Sequence, residues 1–207
     1  MHQYLFFIGN FPIRLYGIFF SLGIISGCIT AYFLLKKDRQ GWESHMFDLG
    51  LVIAFAGIVG GRLWDVFFFD WEYYHNHLLE IPYIWQGGMA IQGGIIFACI
   101  AAYFYLKKHQ IPVLPFADTV TPGIILGQAV GRIANFMNGD AFGHPTGQDF
   151  GLLYPDTTLA YHTYGAQPLW PAEVWECQGD LLIFVLLLWY GCKTRTEGTT
   201  FCLYIML

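Results

Sequence analysis

Long apolar runs that end at basic clusters constrain the fold of this chain more than any other feature. The first run covers residues 13–35 and is followed by Lys36, Lys37 and Arg39. An apolar run of about 20 residues is long enough to cross the hydrocarbon core of a bilayer as a helix. Only 12% of the 207 residues are charged, half the ~25% found in soluble domains. The sequence therefore predicts a polytopic membrane protein rather than a cytosolic enzyme.

Further apolar runs follow along the chain: residues 46–69, 87–106, 116–136, a run that begins near residue 172 and is clearest over 181–190, and 199–207. The last run, at 1.5 Å per residue, is too short to cross ~30 Å of hydrocarbon, so we expect either a truncated C-terminal helix or a helix that needs a partner. No repeat and no change in composition indicates a second domain. We predict an all-α bundle of about six to seven transmembrane helices, forming one transmembrane domain over residues 1–207.

The distribution of Lys and Arg predicts the topology. Seven of the ten basic residues lie in the loops after the first, third and fifth spans: Lys36, Lys37, Arg39, Lys107, Lys108, Lys193 and Arg195. The positive-inside rule makes these loops cytoplasmic and places the N-terminus outside. Residues 138–171, rich in Gly, Pro and Tyr, then form a small extracytoplasmic cap. The N-terminus lacks the basic start of a signal peptide, so we interpret the first run as a permanent helix.

Several classes of function are disfavoured by composition. The net charge is −5 with ten Lys and Arg residues, which leaves no basic surface for nucleic acid. The five cysteines include no C-x-x-C pair, so neither a disulfide framework nor a zinc site is expected. The seven histidines show no metal-ligand spacing beyond His75 and His77. We expect no metal and no cofactor.

Arg132, Asn135 and Asn138 form the strongest chemical pattern, near the end of the fourth span. Their spacing puts them on neighbouring faces of a helix. An arginine within a span is costly and should face a polar cavity or an anionic partner. Its guanidinium suits a phosphate group, and the two amides can donate to further oxygens. The alternative is an internal ion pair of Arg132 with one of three carboxylates: Asp118, Asp140 or Asp65.

Three other polar residues allow two interpretations each. Arg62 either binds the substrate or forms a structural ion pair with Asp65, three residues on. Tyr16 is either an interfacial aromatic anchor or a hydroxyl facing the polar cavity. Glu173 follows a proline near the start of the fifth span, where an acidic residue favours a helix start, or it is a ligand in the cavity.

Glycines carry two further patterns. Two Gly-Gly pairs, residues 87–88 and 93–94, flank a short apolar stretch that holds Gln92. They either permit an unusual backbone that exposes amide groups to a ligand or begin a loosely wound helix. G-x-x-x-G spacings predict close helix packing instead; they join Gly23 to Gly27, Gly57 to Gly61, and Gly123 to Gly127 and Gly131.

Together these segments resemble the prolipoprotein diacylglyceryl transferase family over essentially the whole chain. The resemblance rests on the stretches 13–17, 60–63, 87–94, 131–143, 167–173 and 198–204. The stretch 131–143 is the longest and most specific of them. The resemblance implies a multi-pass enzyme of the bacterial cytoplasmic (inner) membrane, with seven helices and an active site near the outer leaflet.

The implied reaction moves the diacylglyceryl group of phosphatidylglycerol onto the cysteine thiol of a prolipoprotein signal peptide. Its partners would be phosphatidylglycerol, the signal peptide and the lipid bilayer, with no cofactor. By motif position, we expect catalytic roles for Arg132, Asn135, Gln92 and Tyr16. We expect substrate binding by Arg132, Asn138, Asp140, Gly143, Arg62, Glu173, Gly93 and Gly94.

Two departures from the family pattern keep an alternative open. Gln92 stands where the family usually has histidine, and a glutamine cannot act as a general base near neutral pH. The chain also ends at Leu207, before a further arginine and glutamate of the family pattern. The alternative function is that of a non-catalytic membrane paralogue that binds anionic lipid. A channel or transporter is disfavoured, because the polar groups gather at one face rather than along a path.

Overall fold

The computed structural model describes residues 4–8, 11–39, 41–84, 87–191 and 196–207. Within them, two strands precede eight α-helices: β1 (Tyr4–Ile8), β2 (Phe11–Arg14), α1 (Leu15–Asp38), α2 (Met46–Trp64), α3 (Trp71–Tyr74), α4 (Ile91–Lys108), α5 (Val113–Asn138), α6 (Leu159–Tyr164), α7 (Ala172–Gly191) and α8 (Thr199–Met206). A π-helical turn, Asp65–Phe69, extends α2. Helices dominate, as the sequence predicts.

Three helical segments are long and apolar enough to cross a membrane: Leu15–Asp38, Glu43–Phe69 and Val113–Asn138. This finding agrees with the predicted helical membrane protein. The count of three applies to the described residues and rests on length and composition. The larger bundle of about six to seven spans stays a prediction.

The N-terminal segment differs from the all-α expectation. Strands β1 and β2 form an antiparallel hairpin in which Phe6 pairs with Ile13 and Phe7 with Pro12. The first helix was expected from residue 13 and begins at Leu15. Pro12 has no backbone N–H and disfavours a helix interior, while the aromatic and β-branched residues around it favour extended backbone.

The chain divides into two compact units, and the first comprises residues 39–116. Its centre is the packing of α2 against α4, where glycines let the backbones approach closely. A Cβ added at Gly61 would lie 3.2 Å from the Ala90 carbonyl oxygen, and one at Gly60 would overlap Phe97 and the Gly93 carbonyl. The packing role predicted for the Gly57 and Gly61 pair is confirmed.

The second unit comprises residues 1–38 and 117–207. Here α1 and α5 approach through glycines on both helices. A Cβ added at Gly23 would lie 2.8 Å from the Gly127 carbonyl oxygen, and one at Gly27 would lie 2.7 Å from the Gly123 oxygen. These distances are too short for any side chain, so the predicted small-residue contact holds these two helices together.

We expect Gly27→Ala to destabilise the protein by about 1–3 kcal/mol, the usual cost of overpacking. The added methyl group meets backbone, which cannot move aside as a side chain would. Gly17 lies on the same helix with nothing within 4 Å of an added Cβ, so Gly17→Ala is the matched control. Thermal melting in detergent should show a lower Tm for Gly27→Ala alone. Equal melting of the two variants would contradict the close contact.

Residues 139–171, which lie between α5 and α7, form a small folded segment that we call the cap. Leu169 makes antiparallel bridges with both Pro145 and Leu152. A cluster of Tyr154, Ala160 and Leu169 forms the buried core of this segment. Its short helix α6 is capped at its N-terminus by Thr158, whose hydroxyl accepts a hydrogen bond from the Tyr161 amide. The cap is therefore more ordered than the irregular loop that the sequence predicts.

Candidate functional site

The C-terminal end of α5 brings three of the predicted site residues together. The helix ends at Asn138, and Gly139 follows with a φ of +72°, a left-handed conformation that suits glycine. The chain turns back so that Asp140 faces the last helical turn. Its carboxylate accepts a hydrogen bond of 2.6 Å from the Asn135 amide nitrogen and one of 2.5 Å from that of Asn138.

Arg132, one turn before Asn135, pairs with Glu176 on α7. Its Nη1 lies 2.9 Å from a Glu176 carboxylate oxygen. Both side chains remain accessible, with 37% of Arg132 and 48% of Glu176 exposed. The guanidinium is therefore paired but open to a second anionic partner. An internal ion pair is therefore present, as the alternative interpretation expected. Its partner is none of the three carboxylates considered from sequence, because Glu176 lies on a helix that the sequence does not place beside α5.

Asp118 has a different role at the opposite end of α5. Its two carboxylate oxygens accept hydrogen bonds from the Gly198 amide, at 2.5 Å, and from the Phe201 amide, at 2.8 Å. These amides belong to the first turn of α8 and would otherwise lack a partner within the helix. Asp118 thus caps α8.

Glu173, in the first turn of α7, is fully buried at 0% exposure. The Tyr154 hydroxyl donates to its carboxylate, lying 2.6 Å and 2.9 Å from the two oxygens. Burial raises the pKa of Tyr154, and the hydrogen bond to Glu173 raises it further. The hydroxyl therefore stays protonated and can act as a donor. This buried pair joins the cap to the start of α7.

Tyr16 and Gly143 lie in the same unit as Arg132. The Tyr16 ring stacks on Phe20 at 5.9 Å between ring centroids, and Tyr16 lies within electrostatic range of Asp140. Gly143 donates its amide to the Trp170 carbonyl at 3.1 Å. A Cβ at Gly143 would lie 2.6 Å from that oxygen, so only glycine fits there.

Arg62, in the other unit, is 3% exposed. Its donors bond to backbone carbonyls of the segment before α4: Glu80, Ile81, Gly87 and Gly88, at 2.6–3.1 Å. Asp65 lies 3.9 Å from its Nη1. This geometry favours the structural interpretation of Arg62, although the main partners are carbonyl groups rather than Asp65.

The two Gly-Gly pairs have different roles. Gly87 and Gly88 have φ values of +96° and +72°, and their carbonyls accept from Arg62, so this pair has the unusual backbone considered from sequence. Gly93 and Gly94 lie within α4 and face α2, so their contacts are packing contacts. Gln92 is exposed in the first turn of α4.

Comparison with known proteins identifies the family. The family model described as prolipoprotein diacylglyceryl transferase matches residues 3–207. The chain belongs to this family. A phosphatidylglycerol–prolipoprotein diacylglyceryl transferase of Clostridium botulinum strain Langeland is 33% identical over 99% of this chain and 80% of its own length. A protein of the same name from Legionella pneumophila strain Lens is 30% identical over 97% of this chain and 77% of its own.

Three residues of the site in this family member were not predicted from sequence: Tyr154, Glu176 and Asp180. Asp180 lies within electrostatic range of both Arg132 and Glu176. Glu176 and Asp180 could have been found from the sequence, because with Glu173 they follow the i, i+3, i+7 spacing of one helix face. Tyr154 lies in the cap, where no periodic pattern marks it.

Gln92→His restores the residue that the family pattern favours, and we expect it to be tolerated. Residue 92 is exposed in the first turn of α4, so the ring replaces the amide without filling a packed space. Melting in detergent should give a Tm within about 2 °C of the parent, as for most surface changes. A large loss of stability would show that Gln92 makes a contact that the ring cannot replace.

Proposed function

We propose that this protein transfers the diacylglyceryl group of phosphatidylglycerol to the lipobox cysteine of prolipoproteins, the first step of bacterial lipoprotein maturation. The observation that carries the proposal is the cluster at the end of α5. An accessible Arg132 lies about one turn before Asn135 and nearly two turns before Asn138. Both asparagines are oriented by Asp140. The named relatives are transferases with this activity, which favours an enzyme over the non-catalytic lipid binder.

In the proposed reaction the peptide thiolate attacks the carbon of the diacylglyceryl group that is bonded to the phosphate oxygen. A carbon–sulfur bond forms, the carbon–oxygen bond to phosphate breaks, and glycerol phosphate leaves with the electron pair. Negative charge grows on the departing phosphate, so a guanidinium beside it lowers the barrier. Arg132 supplies that charge, and a phosphate can accept two of its hydrogen bonds at once.

The amides serve to position the headgroup. Asp140 accepts a hydrogen bond from the carboxamide nitrogen of Asn135 and another from that of Asn138, and so fixes the orientation of both side chains. A free cysteine has a pKa near 8.5, so only a small fraction is thiolate at neutral pH. The proton leaves to the aqueous side, and the rate should rise with pH as the thiolate fraction grows.

The transfer assay is the direct test of the proposal. The purified chain is placed in vesicles that contain phosphatidylglycerol, a lipobox peptide is added, and the products are analysed by mass spectrometry. We expect a peptide that carries one diacylglyceryl group and equimolar glycerol phosphate. Vesicles of phosphatidylethanolamine alone are the matched control and should give no product. A folded protein that yields no adduct from phosphatidylglycerol would contradict the proposal.

The proposed orientation in the inner membrane has the N-terminus and the cap outside. The support is the basic clusters, of which Lys107 and Lys108 lie in the last turn of α4, together with the positive-inside rule. In a cysteine-free background, Asp149→Cys in the exposed cap should react with an impermeant thiol reagent in intact cells. Lys108→Cys should react only after the cells are lysed. The reverse pattern would overturn the orientation.

A further inference from the structure

We propose that Glu176 is a specificity-determining residue, a displaceable counter-ion of Arg132 that favours singly charged phosphodiester lipids over doubly charged phosphate monoesters. The proposal deepens the function proposed above and rests on it. The juxtaposition that carries it is the 2.9 Å contact between Arg132 Nη1 and Glu176 at the accessible surface of the site.

The two carboxylates nearest the start of α7 differ in burial and in hydrogen-bond partners. Glu173 is fully buried and held by Tyr154, so it cannot leave its place. Glu176, one turn further, is 48% exposed, so its side chain can rotate into solvent without leaving a buried charge behind. Of the two, only Glu176 can yield its place to a ligand.

An ion pair as exposed as this one is weak. A lipid phosphate offers the guanidinium two parallel hydrogen bonds, more than the single contact that Glu176 makes. The phosphate can therefore displace Glu176, but it must compete with it. The apparent affinity for any anionic lipid is lowered by that competition.

Glu176 also discriminates between lipids by the charge of their phosphate group. Asp180 lies within electrostatic range of Arg132 and Glu176, so a second carboxylate adds to the negative potential around the guanidinium. A phosphodiester such as phosphatidylglycerol brings one negative charge to this place, whereas the phosphate monoester of phosphatidic acid brings up to two. Repulsion from Glu176 therefore lowers the affinity for phosphatidic acid more than the affinity for phosphatidylglycerol. Removing the Glu176 charge should reduce the difference between the two affinities.

The test compares Glu176→Gln with Asp149→Asn, which removes the same charge from an exposed position in the cap. Dissociation constants of short-chain phosphatidylglycerol and phosphatidic acid are measured in detergent for the full chain. At low ionic strength we expect Glu176→Gln to bind phosphatidylglycerol about threefold more tightly and phosphatidic acid about tenfold more tightly. Asp149→Asn should match the parent, and high salt should reduce both gains.

Unchanged or weaker binding of both lipids by Glu176→Gln would overturn the proposal, because Glu176 would then hold Arg132 in position rather than compete for it. Arg132→Ala separates this failure from that of the proposed function. If Arg132→Ala loses phosphatidylglycerol binding while Glu176→Gln shows no gain, only the counter-ion role is overturned. If Arg132→Ala binds like the parent, the phosphate role of Arg132 is overturned as well. Melting curves confirm that each variant is folded.

Discussion

Arg132→Ala should lower kcat/KM for diacylglyceryl transfer by about 100- to 1,000-fold, the usual loss when one donor to a developing anion is removed. The guanidinium is the group at the end of α5 that can neutralise the departing phosphate, and its 37% exposure leaves it open to a lipid headgroup. The measurement is the initial rate of thioether formation at several peptide and lipid concentrations.

Arg39→Ala is the matched control for this loss. Arg39 is an exposed arginine whose guanidinium lies over the Trp42 ring, 5.7 Å from its centroid. The proposed mechanism gives it no role. Its removal should leave kcat/KM within about twofold of the parent, as for surface changes generally. Similar rates for the two variants would mean that Arg132 does not stabilise the transition state.

Tyr154→Phe should destabilise the protein by about 1.5–3 kcal/mol, the range for a hydrogen bond to a charged group. The change leaves the Glu173 carboxylate buried without its donor. Replacing both residues, as Tyr154→Phe with Glu173→Met, should cost less than Tyr154→Phe alone, because no unsatisfied polar group then remains. Thermal melting of the three proteins gives the comparison. A double variant that is less stable than Tyr154→Phe would contradict this account.

The same pair predicts how stability changes at high pH. The pKa of Tyr154 is raised in the folded state from an ordinary value of 10.0. The stabilisation that goes with this shift is therefore complete below pH 10 and is lost as the pH rises above it. The Tm of the parent should fall more steeply above pH 10 than that of Tyr154→Phe. Tyr161→Phe, also in the cap, is the control and should fall like the parent.

The helices were largely predictable because their sequence pattern is local. The runs ending near Phe69 and near Tyr190 reappear as α2 with its π-helical turn and as α7. The hairpin was not predicted, because the first span was expected to begin at residue 13 and no element was assigned to residues 4–12. Whether residues 4–14 form strands or a helix depends on Pro12 and on the pairing of two short strands. Strand pairing is not a local property of the sequence.

The site was predictable in its parts but not in its pairings. Helical spacing groups Arg132 with Asn135 and Asn138 on α5, and the structure brings the two asparagines together with Asp140. The partner of Arg132 could not be predicted from the sequence, because Glu176 lies 44 residues further along the chain, on another helix. Charge alone does not distinguish among several acidic residues when the packing of the helices is unknown.

The most direct test of the central claim is the dissociation constant of phosphatidylglycerol for the parent and for Arg132→Lys. Lysine keeps the positive charge but lacks the planar fork that grips two phosphate oxygens. We predict binding weaker by about tenfold or more, which corresponds to the loss of one charge-assisted hydrogen bond, with an unchanged Tm. Equal dissociation constants for the two proteins would contradict the claim that Arg132 binds the lipid phosphate.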